Sequence, residues 1–177
     1  MEKLSVPGTF YKFKVKNHKA LQKSILAAIS ARKMSPVRGE NESVSNTDWI
    51  DGWEEVPTYW EGLHDMLEDS LSELQEQSPS VNNGRKLQLL NYWFQQYLQG
   101  DYHGWHIHAG TTYSSVYYVE LTKGGETQFL HGEVTFNIKV EEGDFLIFPS
   151  SYEHRSSVNN TGSRKTVIAI NLGGYSA

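Results

Sequence analysis

The second half of the chain consists of short apolar or alternating segments separated by Gly and Asn turn signals, and this pattern most constrains the fold. The clearest segments are LQLLNYWFQQYL, TYSSVYYVEL, GEVTFNIKV, DFLIFP and TVIAINL. Within GEVTFNIKV the apolar residues of 134–140 alternate strictly, as in a strand with one buried face. Short strands at close spacing, with no helices alternating between them, predict a mainly β, antiparallel sandwich or barrel.

Two amphipathic helices are expected before this region, because apolar residues recur at helical spacing over 21–29 and again over 60–74. A polar, turn-rich segment between them carries Trp49 and Trp53. This segment is either a lid or substrate-contact loop, or a loop that its indoles pin to the core. We therefore expect one domain over 1–177, with a helical flank and polar loop in 1–80. The β core follows a turn-like NNG at 82–84 and occupies 85–172.

Composition narrows the class of protein. A length of 177 residues allows one full hydrophobic core, and the absence of Cys excludes disulfides and thiolate metal sites. A net charge of −5 argues against a sequence-independent nucleic-acid binder. The first residues lack the apolar core of a signal peptide, and no stretch approaches the roughly 18 apolar residues of a membrane span. We expect a soluble, cytoplasmic protein with neither a nucleic-acid nor a membrane partner.

Five of the seven His residues fall between 103 and 154. His106 and His108 flank Ile107, and in an extended backbone residues i and i+2 point to the same face, so both imidazoles can reach one metal ion. His154 follows a turn, an apolar strand and a second turn, and it is well placed to add a third ligand. Sites with two His and one further ligand on one face leave positions open for substrate and O2. The alternative for each His is a hydrogen-bonded structural residue.

The other four His residues are expected outside this site. His103 lies in a Gly-flanked loop and His131 in a turn, so both are predicted at the surface. His18 and His64 lie in the helical regions, and we assign them no role.

Arg164 opens the last predicted strand, ten residues after His154. It could hold the carboxylate of a bound acid through a bidentate ion pair, with the Thr166 hydroxyl on the same face. It could equally be a surface Arg at a strand start, and the spacing leaves both interpretations open.

Four motifs stand in an order that resembles the iron(II)- and 2-oxoglutarate-dependent oxygenase superfamily. They are HIH at 106–108, the strand SSVYYVEL, the turn and strand GGETQF at 124–129, and GDFLIFPSSYEH with Arg164 ten residues later. The GGETxF motif recurs in prolyl-hydroxylase-like members. The resemblance covers about residues 87–172. It implies a double-stranded β-helix, a cupin-like jelly-roll core with the N-terminal α-helices packed on its outer face.

The resemblance also implies roles for particular residues. His106 and His154 would be Fe(II) ligands, and Arg164 would grip the distal carboxylate of 2-oxoglutarate. Tyr118, with Thr166 as a weaker candidate, would donate a hydrogen bond to the same acid. The implied activity is that of a dioxygenase that consumes 2-oxoglutarate and O2 and releases succinate and CO2. It would hydroxylate a peptide, in particular a prolyl residue, or a small molecule.

His108 stands where most of that superfamily has Asp or Glu. The change resembles a branch in phage and bacterial genomes whose chains read HxH followed by a strand like SGVYY. If His108 binds Fe(II), the site has three neutral imidazoles, and the metal keeps its double charge until dianionic 2-oxoglutarate binds. If it does not, a water, Asp101 or Glu120 would complete the site.

Two alternatives are open. A cupin would match Gly143, Pro149 and His154 to its second motif, although Ser151 replaces a Gly and the segment AGTTYSS lacks the expected Glu. A catalytically inactive jelly-roll binding module would explain the missing carboxylate at position 108. The sequence predicts no oligomeric state.

Overall fold

The computed structural model describes residues 1–6, 8–32, 35–49, 56–79, 81 and 85–173. Within them it has two helices, α1 (His18–Ser30) and α2 (Trp60–Gln77), and twelve strands. The strands are β1 (Glu2–Val6), β2 (Gly8–Lys14), β3 (Ser35–Arg38), β4 (Glu42–Thr47), β5 (Gln88–Tyr97), β6 (Tyr102–His106), β7 (Tyr113–Glu120), β8 (Thr127–His131), β9 (Val134–Asn137), β10 (Asp144–Pro149), β11 (Glu153–Ser156) and β12 (Lys165–Gly173).

All twelve strands belong to one antiparallel sheet. Its order is β1-β2-β10-β7-β12-β5-β4-β6-β11-β8-β9, with β3 paired to β4. Strand β4 links the two parts of the sheet, because its last residues pair with β5 and its first residues pair with β6. The mainly β, antiparallel prediction is therefore confirmed.

The sheet curls until its two ends face each other. Phe10 of β2 and Phe129 of β8 are far apart in the strand order, yet their ring centroids lie 5.0 Å apart. Phe129 also contacts Phe148 of β10 at 4.9 Å. These rings form an inner core between the two parts of the sheet, which confirms the predicted jelly roll.

The helices cover the outer face of the sheet, as predicted. Phe145 of β10 joins a buried cluster with Ile25 of α1 and Leu67 of α2, whereas its neighbour Leu146 belongs to the inner cluster. Strands such as β10 are therefore buried on both faces, and the removal of apolar surface from water stabilises both layers. Neither described helix has an apolar stretch long enough to cross a bilayer.

The N-terminal region differs from the prediction, because four strands, β1 to β4, precede or separate the helices. Strands β3 and β4 read SPVR and ESVSNT, and most of their residues are half-buried or exposed. Polar segments of this kind show no alternation of apolar and polar residues, so hydrophobic periodicity does not predict them as strands. They join the sheet through backbone hydrogen bonds. Strand β9 is also shorter than the predicted GEVTFNIKV segment. The NNG turn and Trp53 lie outside the described residues.

Candidate metal centre

Three of the predicted site residues meet at one end of the curled sheet. His106 ends β6, and it lies directly opposite His154 of β11 in the antiparallel pair. His108 follows two residues after His106. One nitrogen from each imidazole lies within 4.8 Å of the others, and we call these three residues the triad. This spacing could hold a single metal ion.

Backbone carbonyls orient two of the triad imidazoles. His106 Nδ1 lies 2.8 Å from the Gly104 carbonyl oxygen, and His154 Nδ1 lies 2.9 Å from that of Tyr152. A carbonyl oxygen can only accept, so each Nδ1 carries the proton and each Nε2 presents a lone pair. This arrangement is typical of metal-binding His residues, whose second nitrogen is held by an oxygen acceptor.

The side-chain amide of Asn171 orients the imidazole of His108 in the same way. His108 Nδ1 lies 2.5 Å from Asn171 Oδ1, and Asn171 Nδ2 donates to Asn91 Oδ1 at 2.8 Å. The Ser114 hydroxyl also donates to Asn171 Oδ1. Asn171 therefore faces His108 with its oxygen, and His108 presents Nε2 like the other two members of the triad.

The triad is electrically neutral near pH 7 without a metal. Burial is the main cause that lowers the pKa of His106, His108 and His154, and for His154 the pKa falls well below its ordinary value. Because a metal ligand must be deprotonated, these three lone pairs are available to a cation. No Asp or Glu among the described residues joins the group.

We expect Asn171→Ala to weaken divalent metal binding about 10- to 100-fold, because His108 loses the acceptor that fixes its ring. Asn171→Asp keeps an acceptor at the same position and should retain affinity. The measurement is the dissociation constant for Mn(II), with circular dichroism to verify folding and Asn137→Ala, an exposed amide, as the control. Equal affinity in Asn171→Ala and the unchanged protein would remove Asn171 from the site.

His103 is buried beside the triad, so the prediction of a surface position was wrong. It is 8% exposed, and its ring stacks on that of His106 at a centroid distance of 4.0 Å. Its Nε2 lies 3.4 Å from Glu42 Oε2, and its Nδ1 lies 3.3 Å from Gln95 Nε2. Burial lowers the pKa of His103 to about 3, so this imidazole is neutral.

A β-bulge explains why sequence spacing misplaced His103. Residues i and i+3 of a regular strand point to opposite faces, but the pairing of β6 with β11 shifts register between His106 and His103. Gly104 lies in this bulge, where an added Cβ would overlap the Asn41 side chain and backbone. The bulge thus brings His103 and His106 to the same face, and the Gly104 carbonyl is free to bind His106.

Of the other His residues, His131 is exposed as predicted. His64 is exposed too, whereas His18 is buried, with its Nδ1 2.8 Å from the Tyr117 hydroxyl oxygen. His18 belongs to the packing of α1 on the sheet.

An inner cavity leads from the triad to a buried Lys. It is narrow, about 40 Å³, and hydroxyl groups line it together with His154 and Lys165. Lys165 is 2% exposed, its Nζ lies 2.8 Å from Ser156 Oγ, and the ammonium lies 5.0 Å from the centroid of the Tyr97 ring. Burial lowers the pKa of Lys165 to about 7. This cation was missed by the sequence analysis.

Arg164 directly precedes β12, and unlike Lys165 it does not line the inner cavity. It forms a bidentate ion pair with Glu120, at 2.8 and 2.9 Å, and its side chain is 41% exposed. The Thr166 hydroxyl bonds to the same carboxylate. Lys165, Val167 and Ala169 line the inner cavity instead, so the structure does not bring Arg164 and Thr166 to it.

The remaining predicted groups also have partners elsewhere. Tyr118 is fully buried in the inner core, and its hydroxyl lies 2.8 Å from Thr127 Oγ1. Tyr118 itself does not line the inner cavity, whereas its partner Thr127 does. Asp101 accepts hydrogen bonds from Ser43 and Ser45, and Glu120 binds Arg164. Neither carboxylate approaches the triad, so neither replaces His108.

A second cation, Arg155, also lines the inner cavity. Its guanidinium lies 4.5 Å from the centroid of the Trp105 ring and donates to Gln128 Oε1 at 2.8 Å. Arg155 and Lys165 thus each have one hydrogen-bond partner and one aromatic ring, but Lys165 is buried whereas Arg155 is only partly buried.

An outer cavity of about 640 Å³ lies on the solvent side of the triad. Trp93, His103, His106 and His108 belong to the walls of both cavities, so the triad stands between them. A larger groove, about 740 Å³, lies against α1 and α2 and contains none of the triad. The chemistry of the site therefore concerns the inner and outer cavities only.

No protein-family model and no curated protein matches the sequence, but solved structures match the fold. An oxidoreductase of the 2OG-Fe(II) oxygenase family from Burkholderia pseudomallei has a TM-score of 0.70 at 13% identity, with 93% of this chain and 85% of that chain covered. A viral collagen prolyl hydroxylase from Paramecium bursaria Chlorella virus-1, solved as its 2-oxoglutarate complex, has a TM-score of 0.67 at 12% identity, with 94% and 96% covered. This chain has the fold of the 2OG-Fe(II) oxygenases.

The oxygenase fold serves more than one reaction. A non-heme alpha-ketoglutarate-dependent epimerase from nogalamycin biosynthesis matches with a TM-score of 0.65 at 11% identity, and the match covers 93% of this chain and 77% of that chain. A fold hosts different functions through the residues of its site. The reaction of this chain must therefore be argued from the triad and its two cavities.

Proposed function

We propose that this protein is an Fe(II)- and 2-oxoglutarate-dependent oxygenase that hydroxylates a peptide or small molecule. One observation supports the proposal: a triad of lone-pair-bearing imidazoles lines the same cavity as the buried side chain of Lys165. An elongated acid with two anionic ends could bind a metal at the triad through one end and the Lys165 ammonium through the other. 2-Oxoglutarate has this shape and charge.

The triad suits Fe(II). His106, His108 and His154 would hold the ion through three nitrogen donors, and a site of so few protein ligands would leave coordination positions for the acid and O2. Three neutral ligands would leave the metal its full double charge, which would favour an anionic ligand such as one carboxylate of 2-oxoglutarate. When bound together, Fe(II) and 2-oxoglutarate supply the reduction of O2 and the oxidising equivalent for the substrate.

Lys165 replaces Arg164 in our assignment of the group that grips the distal carboxylate. An ion pair formed by a buried ammonium is shielded from water, so it is stronger than one at the surface. The hydroxyls of Thr127 and Ser156, which line the same cavity, can donate to carboxylate oxygens. Protein residues thus orient the acid, while the walls of the inner cavity exclude water from it.

We expect 2-oxoglutarate affinity to fall as the pH rises above 7. The carboxylate requires a protonated Lys165, whose pKa of about 7 in the ligand-free protein means that the amine is half protonated at pH 7 and about nine-tenths protonated one pH unit lower. Above it, each pH unit should raise the dissociation constant up to about tenfold. Calorimetric titration of the Mn(II)-loaded protein between about pH 6 and pH 9 measures the effect.

Few charged groups act on Lys165 in this range. Glu126 raises the pKa of Lys165, His103 is neutral, and Arg155 stays charged throughout. The control is Lys165→Arg, whose guanidinium does not titrate, so its affinity should not change with pH. A pH-independent dissociation constant in the unchanged protein would contradict the role of Lys165.

Turnover tests the proposed function. Protein reconstituted with Fe(II) and given 2-oxoglutarate and O2 should release succinate and CO2 in equal amounts, even without the primary substrate. His154→Ala should release neither. A cupin-type enzyme would retain the metal but would not consume 2-oxoglutarate. An inactive module would neither retain the metal tightly nor consume 2-oxoglutarate. Metal retention and succinate release together therefore distinguish the three functions.

A further inference from the structure

The proposed function assigns no ligand to the outer cavity, although His106 and His108 of the triad form part of its wall. Its rim carries Trp49 and Ile107, which are 43% and 57% exposed. Large apolar side chains exposed together at the mouth of a cavity are characteristic of ligand-binding sites. Any group in this cavity lies beside the proposed metal position.

Aromatic rings extend without interruption from the solvent to the triad. The Trp49 ring stacks on Trp93 at a centroid distance of 6.1 Å, and Trp93 contacts the His108 ring at 5.7 Å. Trp49 also contacts His103 at 5.7 Å, and His103 stacks on His106. We call Trp49 and Trp93 the tryptophan wall. Its ring faces offer a large apolar contact area at a small cost in side-chain entropy.

The described residues that line the outer cavity carry no formal charge. Among the described residues, no Asp, Glu, Lys or Arg lines it, and its amides, Asn91 and Asn171, bond to each other. Glu42, whose Oε2 lies 3.4 Å from His103 Nε2, is not part of its wall. A charged group that leaves water for this cavity would therefore find no side chain of opposite charge.

The proposed cofactors exclude charged ligands further. A cation on the tryptophan wall would approach a divalent metal, and no carboxylate among the described lining residues would compensate. An anion would be drawn to the metal, where it would compete with 2-oxoglutarate instead of lying beside it. A neutral apolar group meets neither difficulty.

We propose that the outer cavity selects the primary substrate by an uncharged, apolar ring that packs on the tryptophan wall and turns its C–H bonds toward the triad. This proposal rests on the proposed function for its link to the metal. A ring suits the cavity because its flat faces can cover the indole faces of Trp49 and Trp93.

Three probes with the same ring test the selection: cyclohexanecarboxamide, cyclohexanecarboxylate and cyclohexylammonium. Their dissociation constants are measured by ligand-observed NMR, first with metal-free protein and then with protein that holds Mn(II) and 2-oxoglutarate. The neutral amide should bind at least about tenfold more tightly than either charged probe. In the Mn(II) sample, its ring protons should broaden, because the metal is paramagnetic and near.

Substitutions of Trp49, at the rim of the outer cavity, test whether the tryptophan wall binds the probe. Trp49→Ala should weaken binding of the amide about threefold to tenfold, whereas Trp49→Phe keeps a ring and should stay close to the unchanged protein. Val134→Ala, which removes an exposed apolar side chain that does not line the cavity, should have no effect.

The outcomes separate this proposal from the proposed function. Equal affinity for a charged probe, an unchanged affinity in Trp49→Ala, or no broadening of a bound probe by retained Mn(II) would each overturn the substrate proposal. Failure of the protein to bind Mn(II) or 2-oxoglutarate would overturn the proposed function. Selectivity of the metal-free protein for the amide would still support an uncharged ligand.

Discussion

Lys165→Ala is expected to raise the dissociation constant for 2-oxoglutarate at least about 30-fold and to leave metal affinity unchanged. Removing one partner of a buried, hydrogen-bonded charge pair costs about 2 to 5 kcal/mol, and the distal carboxylate would lose its buried cation. Lys165→Met, which fills a similar volume without the charge, should give the same loss, so a cavity effect is separated from a charge effect. Calorimetry on the Mn(II)-loaded proteins measures both affinities.

Arg164→Ala is the matched control, because it removes the neighbouring cation, which directly precedes β12 and does not line the inner cavity. The Arg164 guanidinium is bound to Glu120 and partly exposed, so its loss should change 2-oxoglutarate affinity by less than about twofold. The opposite result, a large loss in Arg164→Ala and none in Lys165→Ala, would return the role to Arg164.

His154→Ala is expected to weaken Fe(II) and Mn(II) binding by more than about 100-fold. It removes one of three donors, and even the loss of an outer hydrogen-bond partner weakens a metal site about 10- to 100-fold. Equilibrium titration with Mn(II), read by its electron paramagnetic resonance signal, gives the dissociation constant.

Two other His residues serve as controls for this experiment. His131→Ala removes an exposed imidazole and should leave metal affinity unchanged. His103→Ala removes the ring stacked on His106, whose own nitrogens face Glu42 and Gln95, so we expect a smaller loss than in His154→Ala. If His103→Ala loses the metal and His154→Ala keeps it, the triad is not the metal site.

The strand that carries Lys165 shows why sequence could not assign its faces. All nine residues of β12 are buried, because the helices cover one face and the curled sheet encloses the other. Hydrophobic alternation distinguishes a buried face from an exposed one, so it has no signal in such a strand. The sequence pattern therefore could not show which of the adjacent cations, Arg164 or Lys165, faces the inside of the curled sheet.

The triad itself was predictable, since His106 and His108 depend on local spacing and His154 lies on the facing strand. His103 was not, because the bulge at Gly104 changes which residues share a face, and no sequence pattern marks it. The four N-terminal strands were missed for a related reason. Strands β3 and β4 are polar, and their pairing depends on backbone hydrogen bonds that a hydrophobic pattern does not record.

Anaerobic reconstitution tests the central claim most directly. Fe(II) is added to the metal-free protein, followed by 2-oxoglutarate, and the visible absorption spectrum is followed for a metal-to-ligand charge-transfer band. We predict a band that saturates at one 2-oxoglutarate per chain, is absent in His154→Ala, and requires much more 2-oxoglutarate in Lys165→Ala. A protein that retains Fe(II) but develops no band at saturating 2-oxoglutarate would contradict the account.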